Sequence, residues 1–204
     1  MITVSTSDRA EAPAKPGYHH GGLREALVAA GLAILEEGGS PASLGLREAA
    51  RRAGVSAMAP YRHFPDKDAL LAAVAVVGFE RLRAALAAAD GAGRGSEALI
   101  GQGVAYVGFA CANPALFRLM FGPWPGGKPP ALVAAAQASH AVLAERVAAL
   151  VPAKSAADWT LRCWALVHGL ADLALDGQIG GEDAGTAAAL AERLLHLDPI
   201  LKPC

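Results

Sequence analysis

Two groups of side chains in this chain carry enough chemistry to organise a function. The first is cationic: between Arg47 and Lys67 the fixed charges are Arg47, Arg51, Arg52, Arg62 and Lys67 against Glu48 and Asp66, with Tyr61 and His63 interleaved. Guanidinium, ammonium, phenol and imidazole groups all donate hydrogen bonds to phosphate. On a chain of formal net charge −1, such a local excess is the footprint of a polyanion partner. The alternative is that Arg51-Arg52 is only a solvated helix face. The second group is aromatic. Trp164 and His168, spaced i and i+4, share a helical face. His168 is then either a hydrogen-bonding group in an apolar pocket or a satisfied core histidine, with Gly169 permitting close helix approach. Phe109, Phe117, Met120, Phe121 and Trp124 either line a ligand cavity or fill a core.

Other chemistries find no support. Cys163 and His168 are five residues apart and diverge on a helix, no HExxH or nucleophile elbow occurs, and the carboxylates fall on solvated faces. No catalytic residues are expected. His19 and His20, adjacent at a helix start, face different ways and do not make a metal pair. Gly91 to Gly95 contains a Gly-Arg-Gly, but no strand precedes it, so it reads as a linker rather than a phosphate loop. Nothing calls for a cofactor or a metal. Three widely spaced cysteines, Cys111, Cys163 and Cys204, point to a reducing cytoplasm rather than a disulfide framework.

The cationic group must be positioned by two short helices. Leu46, Ala49, Ala50 and Ala53 make an apolar stripe on a helix from about residue 44 to 53, with Ser43 placed to cap it. Gly54 turns the chain, because only glycine enters the left-handed conformation without a Cβ penalty, and Val55 plugs the corner. Ser56 is a second N-cap, opening a helix of about two turns over residues 57–63, with Pro60 in its opening turn. Two helices joined by a tight glycine turn form a helix-turn-helix, whose second helix can enter a DNA major groove.

The run from Gly45 through Val74 resembles the DNA-binding domain of the TetR family of bacterial repressors, in its Gly54-Val55-Ser56 turn, its Tyr61-x-His63-Phe64 and the Lys67 that opens the next helix. The match covers about residues 20–80. The resemblance implies that Tyr61, His63 and Lys67 contact phosphates, that Arg47 reaches the DNA from the preceding helix, and that Ala57 and Met58 lie nearest the bases. The DNA-facing set is then Arg47, Ser56, Ala57, Met58, Ala59, Tyr61, Arg62, His63 and Lys67. Many members carry a polar side chain where this chain has Ala57 and Met58, and with Ala59 these cannot form bidentate hydrogen bonds to base edges. Direct readout therefore rests on apolar contact with thymine methyls, on Arg47, or on DNA shape. Farther on, Trp164-x-x-x-His168-Gly169 and the run Asn113 to Gly122 resemble one group of TetR-like C-terminal domains, the Trp-x-x-x-His-Gly (WHG) group. Phe109, Phe117, Met120, Phe121, Trp124, Trp164 and His168 are the candidate effector-binding residues.

The remaining sequence supplies the frame. The 204 residues are 53% hydrophobic and 18% charged, Ala and Leu rich, so the chain is globular and favours helices. Residues 1–16 read as a flexible arm and 17–66 as the DNA-binding domain, with the motif at about 45–64. Residues 67–95 are a long connecting helix, capped by Asp66, plus a linker at 90–95. Residues 96–204 form a helical effector-binding and dimerisation domain with helices at about 96–112, 114–121, 131–150, 156–175 and 183–197. The expected fold is all-α, with about nine helices. Apolar residues on nearly every side of 156–175 require that helix to be buried all round, one side against a second copy. Leu190, Leu194 and Leu197 extend that surface, predicting a homodimer through the last two helices. No secretory signal or membrane span is visible; the longest apolar run, 69–79, is too short to cross a bilayer. The expected partners are double-stranded operator DNA and a small apolar or amphipathic effector. A dimeric DNA-binding protein with no effector is the first alternative, and an enzyme built on the helical C-terminal domain the second.

Overall fold

A computed structural model describes residues 22–179 and 184–197. The proposed arm at 1–16, the His19-His20 pair and Cys204 lie outside these. The described residues form eight α-helices and no strands: α1 (Gly22–Glu36), α2 (Leu46–Arg52), α3 (Lys67–Ala92), α4 (Gly95–Ala112), α5 (Pro114–Phe121), α6 (Pro130–Ala148), α7 (Ala156–Leu175) and α8 (Ala184–Leu197). Two 3₁₀ turns, Ala59–Arg62 and Ala153–Ser155, join them. The fold is all-α, as the sequence requires.

The turn after α2 follows from Gly54. Its φ is +69°, its N–H donates to the Arg51 carbonyl, and the Val55 N–H reaches the Ala50 carbonyl at 3.0 Å. These are the paired bonds of a Schellman ending, and Val55 packs against the core beside it. Ser43 does not cap α2. Its hydroxyl bonds the Ser40 carbonyl and accepts the Ser40 N–H, closing a turn one residue earlier, and α2 starts after Gly45 without a side-chain cap.

The second helix of the motif is shorter than its sequence suggests. Only the 3₁₀ turn Ala59–Arg62 forms, and Ser56 offers its carbonyl to Ala59 rather than its hydroxyl to a helix N-terminus. Pro60 explains this. Counted from Ser56, its missing N–H would have made the first i→i−4 bond and its ring crowds that same carbonyl, so the chain tightens into i→i+3 bonding.

Asp66 caps α3 as expected, accepting the Ala69 N–H at 2.8 Å. The helix then runs 26 residues, through Asp90 and Gly91 where a linker was expected, and the break narrows to Gly93-Arg94. Asp90 is held from two neighbouring helices, described below, and this carries the helix past Gly91. A Cβ on Gly78 would stand 2.6 Å from Met120 Sδ, so α3 and α5 touch because that residue has no side chain. The main apolar core runs from Leu27 and Leu44 through Leu70, Val74, Phe79 and Leu82 to Phe117, Met120 and Leu132, and a second, smaller cluster joins Val107, Leu170, Ala187 and Ala191. Helix α4 is central, meeting α3, α6, α7 and α8.

Helix α7 is not enclosed by its own chain. Thr160, Val167, Leu170 and Ala171 are buried, whereas Leu161 is 59% exposed and Leu166 and Leu173 about 40%. On α8, Ala187, Ala191 and Leu195 face inward and Leu194 faces out; the Leu197 side chain lies outside the described residues.

Replacing Gly54 with Ala forces a Cβ into the left-handed region, with open space around it. The expected cost is about 1–2 kcal/mol, read as a lower urea midpoint at unchanged m-value; an unaltered midpoint would contradict the turn described.

Candidate functional site

Arg47, Tyr61 and Lys67, separate in sequence, border one shallow groove together with Gly45, Pro65 and Asp66. Arg47 projects from α2, Tyr61 from the 3₁₀ turn and Lys67 from the first position of α3. Met58 is 71% exposed and Tyr61 44%; Ser56, Ala57 and Arg62 are also exposed, while Ala59, His63 and Lys67 are half-buried. Lys67 Nζ donates to the Ala42 carbonyl at 2.8 Å, tying the loop before α2 to the start of α3.

The cationic patch is smaller than its sequence suggests. Arg51 bonds Glu48 through Nε (2.8 Å) and Nη2 (2.6 Å); Arg52 bonds Glu48 through Nε and Glu37 at 2.7 Å. Hydrogen bonds from Arg51, then Arg52, hold the Glu48 carboxyl down at about 2. These two arginines are engaged in ion pairs within the protein. Arg47 and Arg62 make no ion pair with described residues, and with Lys67 they form the cationic face. The Glu48 pairing was legible as i,i+3 and i,i+4 spacing; the Glu37 contact, from the end of α1, was not. Arg24 was also missed: it lies over the buried Phe64 ring at 5.4 Å and ties α1 to the end of the motif.

The second site is a cavity of about 500 Å³ between α3, α4, α6 and α7. Phe79 and Leu86 of α3, Leu99, Gln102 and Tyr106 of α4, His140 and Leu143 of α6, and Trp159, Cys163 and Trp164 of α7 line it. Lys128 and Arg162 are its described lining cations, Arg162 lying 5.1 Å over the Trp159 ring, and no carboxylate lines it among the described residues. Of the residues singled out from sequence, Phe121 and Trp164 form part of the wall. Phe117 and Met120 do not, being fully buried in the core between helices; Phe109 and Trp124 pack against that core, half-buried.

His168 also stands outside the lining. Its Nδ1 is 2.8 Å from the Tyr106 hydroxyl, and its ring contacts those of Phe121 and Phe117 at 4.8 and 5.5 Å. Burial raises the Tyr106 phenol above its usual range, opposed by a hydrogen bond from Trp164, so the hydroxyl keeps its proton; which of it and Nδ1 donates follows the imidazole tautomer. His168 Nε2 then faces Asp172 at 3.7 Å. Trp164 and His168, four residues apart, thus hold this face of α7 to α4 through Tyr106. The Tyr106 contribution, 62 residues away, left no local signal in the sequence.

The comparisons with known proteins bear on the family and the fold. The model for bacterial regulatory proteins of the tetR family matches residues 27–74, and that for the tetracyclin repressor-like C-terminal domain matches residues 99–197. The chain belongs to the TetR family. A structure of a protein of unknown function from Rhodococcus sp. RHA1 is 34% identical, covering 89% of this chain and 97% of that one, with a TM-score of 0.73. A bacterial regulatory protein in the tetR family from Rhodococcus RHA1 is 20% identical over 85% and 96% of the two chains (TM-score 0.55). The TetR family transcriptional regulator PfmR from Thermus thermophilus is 17% identical over 89% and 96% (TM-score 0.59) and shares the fold. No curated protein matches.

In this TetR-family chain one polar network joins the cavity wall to the connecting helix. Asp90, near the end of α3, receives Arg146 of α6 through two bonds, Nε to Oδ1 at 2.7 Å and Nη2 to Oδ2 at 2.8 Å. Gln102 of α4 donates to the same Oδ1 at 2.7 Å and toward the Val142 carbonyl at 3.4 Å. The Arg146 bond first, with that of Gln102 behind it and burial opposing, holds the Asp90 carboxyl below its ordinary value. A carboxyl so held stabilises the fold above the ordinary carboxylate pKa, and that stability is lost as pH falls through the lower folded value. Asp90→Asn should cost about 1–3 kcal/mol near neutral pH. Thermal unfolding at decreasing pH should show the gap from the unsubstituted protein closing below about pH 4; a gap independent of pH would contradict the charged pairing.

Proposed function

We propose that this TetR-family protein is a dimeric transcriptional repressor, held on a roughly palindromic operator and released by an apolar or amphipathic small molecule. One observation carries the reading: α3 belongs to both sites. Its first residue, Lys67, borders the exposed Arg47–Tyr61 groove, and Phe79 and Leu86 farther along it line the cavity. A ligand that moves the walls of the cavity moves a helix whose other end faces the DNA.

In this reading residues 17–66 are the DNA-binding domain, 67–95 the connection, and 96–204 the effector-binding and dimerisation domain, the last belonging to the Trp-x-x-x-His-Gly group. Arg47, Tyr61, His63 and Lys67 meet phosphates, with Arg62 beside them. Ser56, Ala57, Met58 and Ala59 face the bases, where exposed Met58 supplies apolar contact to thymine methyls. Phe121 and Trp164 contact the effector. Among the described residues Lys128 lines the cavity and no carboxylate does, which favours a neutral or anionic effector over a cation. The exposed leucines of α7 and α8 support a homodimer through these helices, which sets the two DNA-facing motifs about one turn of duplex apart. Release requires the ligand to prefer the geometry that does not fit DNA; operator DNA then weakens ligand binding by the same factor. The protein acts in the cytoplasm, uses no cofactor and is not an enzyme.

Fluorescence anisotropy with labelled DNA from just upstream of the coding region tests this. Lys67→Ala should weaken binding at every sequence and lower the slope of log K against log salt by about one. Tyr61→Ala should also weaken it across sequences. Full affinity and slope in the Lys67 variant would contradict the phosphate contact, and a purely monomeric protein in light scattering would contradict the dimer.

A further inference from the structure

The cavity is polar where it meets water and mostly apolar where it does not. Of its described lining residues, Lys128, Gln137, His140, Arg162 and Leu166 are the exposed ones, and all but Leu166 are polar. Phe79, Leu86, Leu99, Val167 and Leu195 are buried and form the wall farther in. Within the rim, Lys128 is distinguished by how its backbone is held. Gly127 takes a φ of +80° and donates its N–H to the Trp124 carbonyl at 2.8 Å, and Trp124 packs against the core, so the turn before Lys128 is pinned. Pro129 and Pro130 follow, each with its φ limited by its ring, and Pro130 opens α6. Lys128 is thus set between a glycine turn and a helix start. Its ammonium has no hydrogen bond or ion pair among the described residues, and no described carboxylate lines the cavity.

We propose that Lys128 anchors the head group of the effector: the ligand is a monocarboxylic acid with an apolar body, its carboxylate at the rim on the Lys128 ammonium and its body against Phe79, Leu99 and Leu195. The proposal rests on the effector-cavity reading above and narrows it from neutral or anionic to anionic. The polarity of the walls sets the direction in which the molecule lies. An ionised carboxylate taken into the apolar interior loses its hydration with no charge to replace it, whereas at the rim it keeps water and gains Lys128. One ammonium balances one negative charge, which matches a carboxylate. The volume of about 500 Å³ is in the range that holds small-molecule ligands. Lys128 stands two residues before the start of α6, the helix whose Arg146 clamps Asp90, so an anchored ligand bears on the element that holds the end of α3.

Decanoate and decan-1-ol, alike in chain but different in head-group charge, test this on the full chain near neutral pH. Tryptophan fluorescence reports binding, since Trp159 and Trp164 line the cavity. Lys128→Met keeps most of the stem and removes the ammonium. It should weaken decanoate about threefold to fivefold and leave decan-1-ol unchanged, and Lys128→Arg should restore decanoate. Added salt should weaken decanoate more in the unsubstituted protein than in Lys128→Met. Ala136→Phe, which narrows the cavity, should weaken both probes. Binding of decan-1-ol alone, a decanoate affinity unchanged in Lys128→Met, or one unchanged in Ala136→Phe would overturn the anchor, and the cavity reading would then stand on decan-1-ol. Failure of both probes to bind would overturn the effector-cavity reading itself, and this inference with it.

Discussion

A helix of 26 residues without a joint is the constraint on which this molecule depends. At a rise of about 1.5 Å per residue, α3 spans about 39 Å, and it is secured at both ends. Asp66 caps the N-terminus, where Lys67 also fastens the preceding loop, and Asp90 is clamped by Arg146 and Gln102 close to the other end. Between them, Leu70, Val74, Phe79 and Leu82 bury a continuous apolar face. A rod packed along its length moves as a unit, because close-packed interiors transmit displacement instead of absorbing it. The two ends are therefore mechanically one object, although one borders a polar groove and the other an apolar cavity.

The two sites divide the electrostatics between them. On the motif, Glu48 and Glu37 pair with Arg51 and Arg52, while Arg47, Arg62 and Lys67 make no ion pair among the described residues; Arg47 and Lys67 border the groove beside Tyr61, together with Glu48 and Asp66. In the cavity, the described lining carries Lys128 and Arg162 and, among mostly aromatic and aliphatic side chains, the polar Gln102, Tyr106, Gln137, Ser139 and His140. Tyr106 and His168 are bonded to each other, and among the described residues the Gln102 carbonyl is a buried acceptor without a hydrogen-bond partner.

Sequence reading captured what is governed locally. The Asp66 cap, the Gly54 turn, the bounds of α5 and α7 and the absence of strands all follow from residues within a few positions of one another. It missed effects that depend on distant partners. The linker expected at 90–95 is mostly helix because Arg146, 56 residues away, holds Asp90. Two of the seven candidate cavity residues line the wall, since helical spacing identifies an apolar face without telling whether that face meets a void or another side chain. The shortened second helix of the motif was a misjudged local competition: Pro60 was counted as an opening-turn residue when it stands where the first i→i−4 bond should form.

The most direct test of coupling along α3 needs no natural ligand. Ala136 of α6 lines the cavity, and Ala136→Phe fills part of it from that wall. The dissociation constant for the upstream DNA fragment, measured for this variant beside the unsubstituted protein at one salt concentration, reads the coupling at the far end of the helix. Coupling predicts weaker DNA binding by a variant that still folds and dimerises. Unchanged affinity in a variant whose cavity no longer takes up an apolar probe would contradict it.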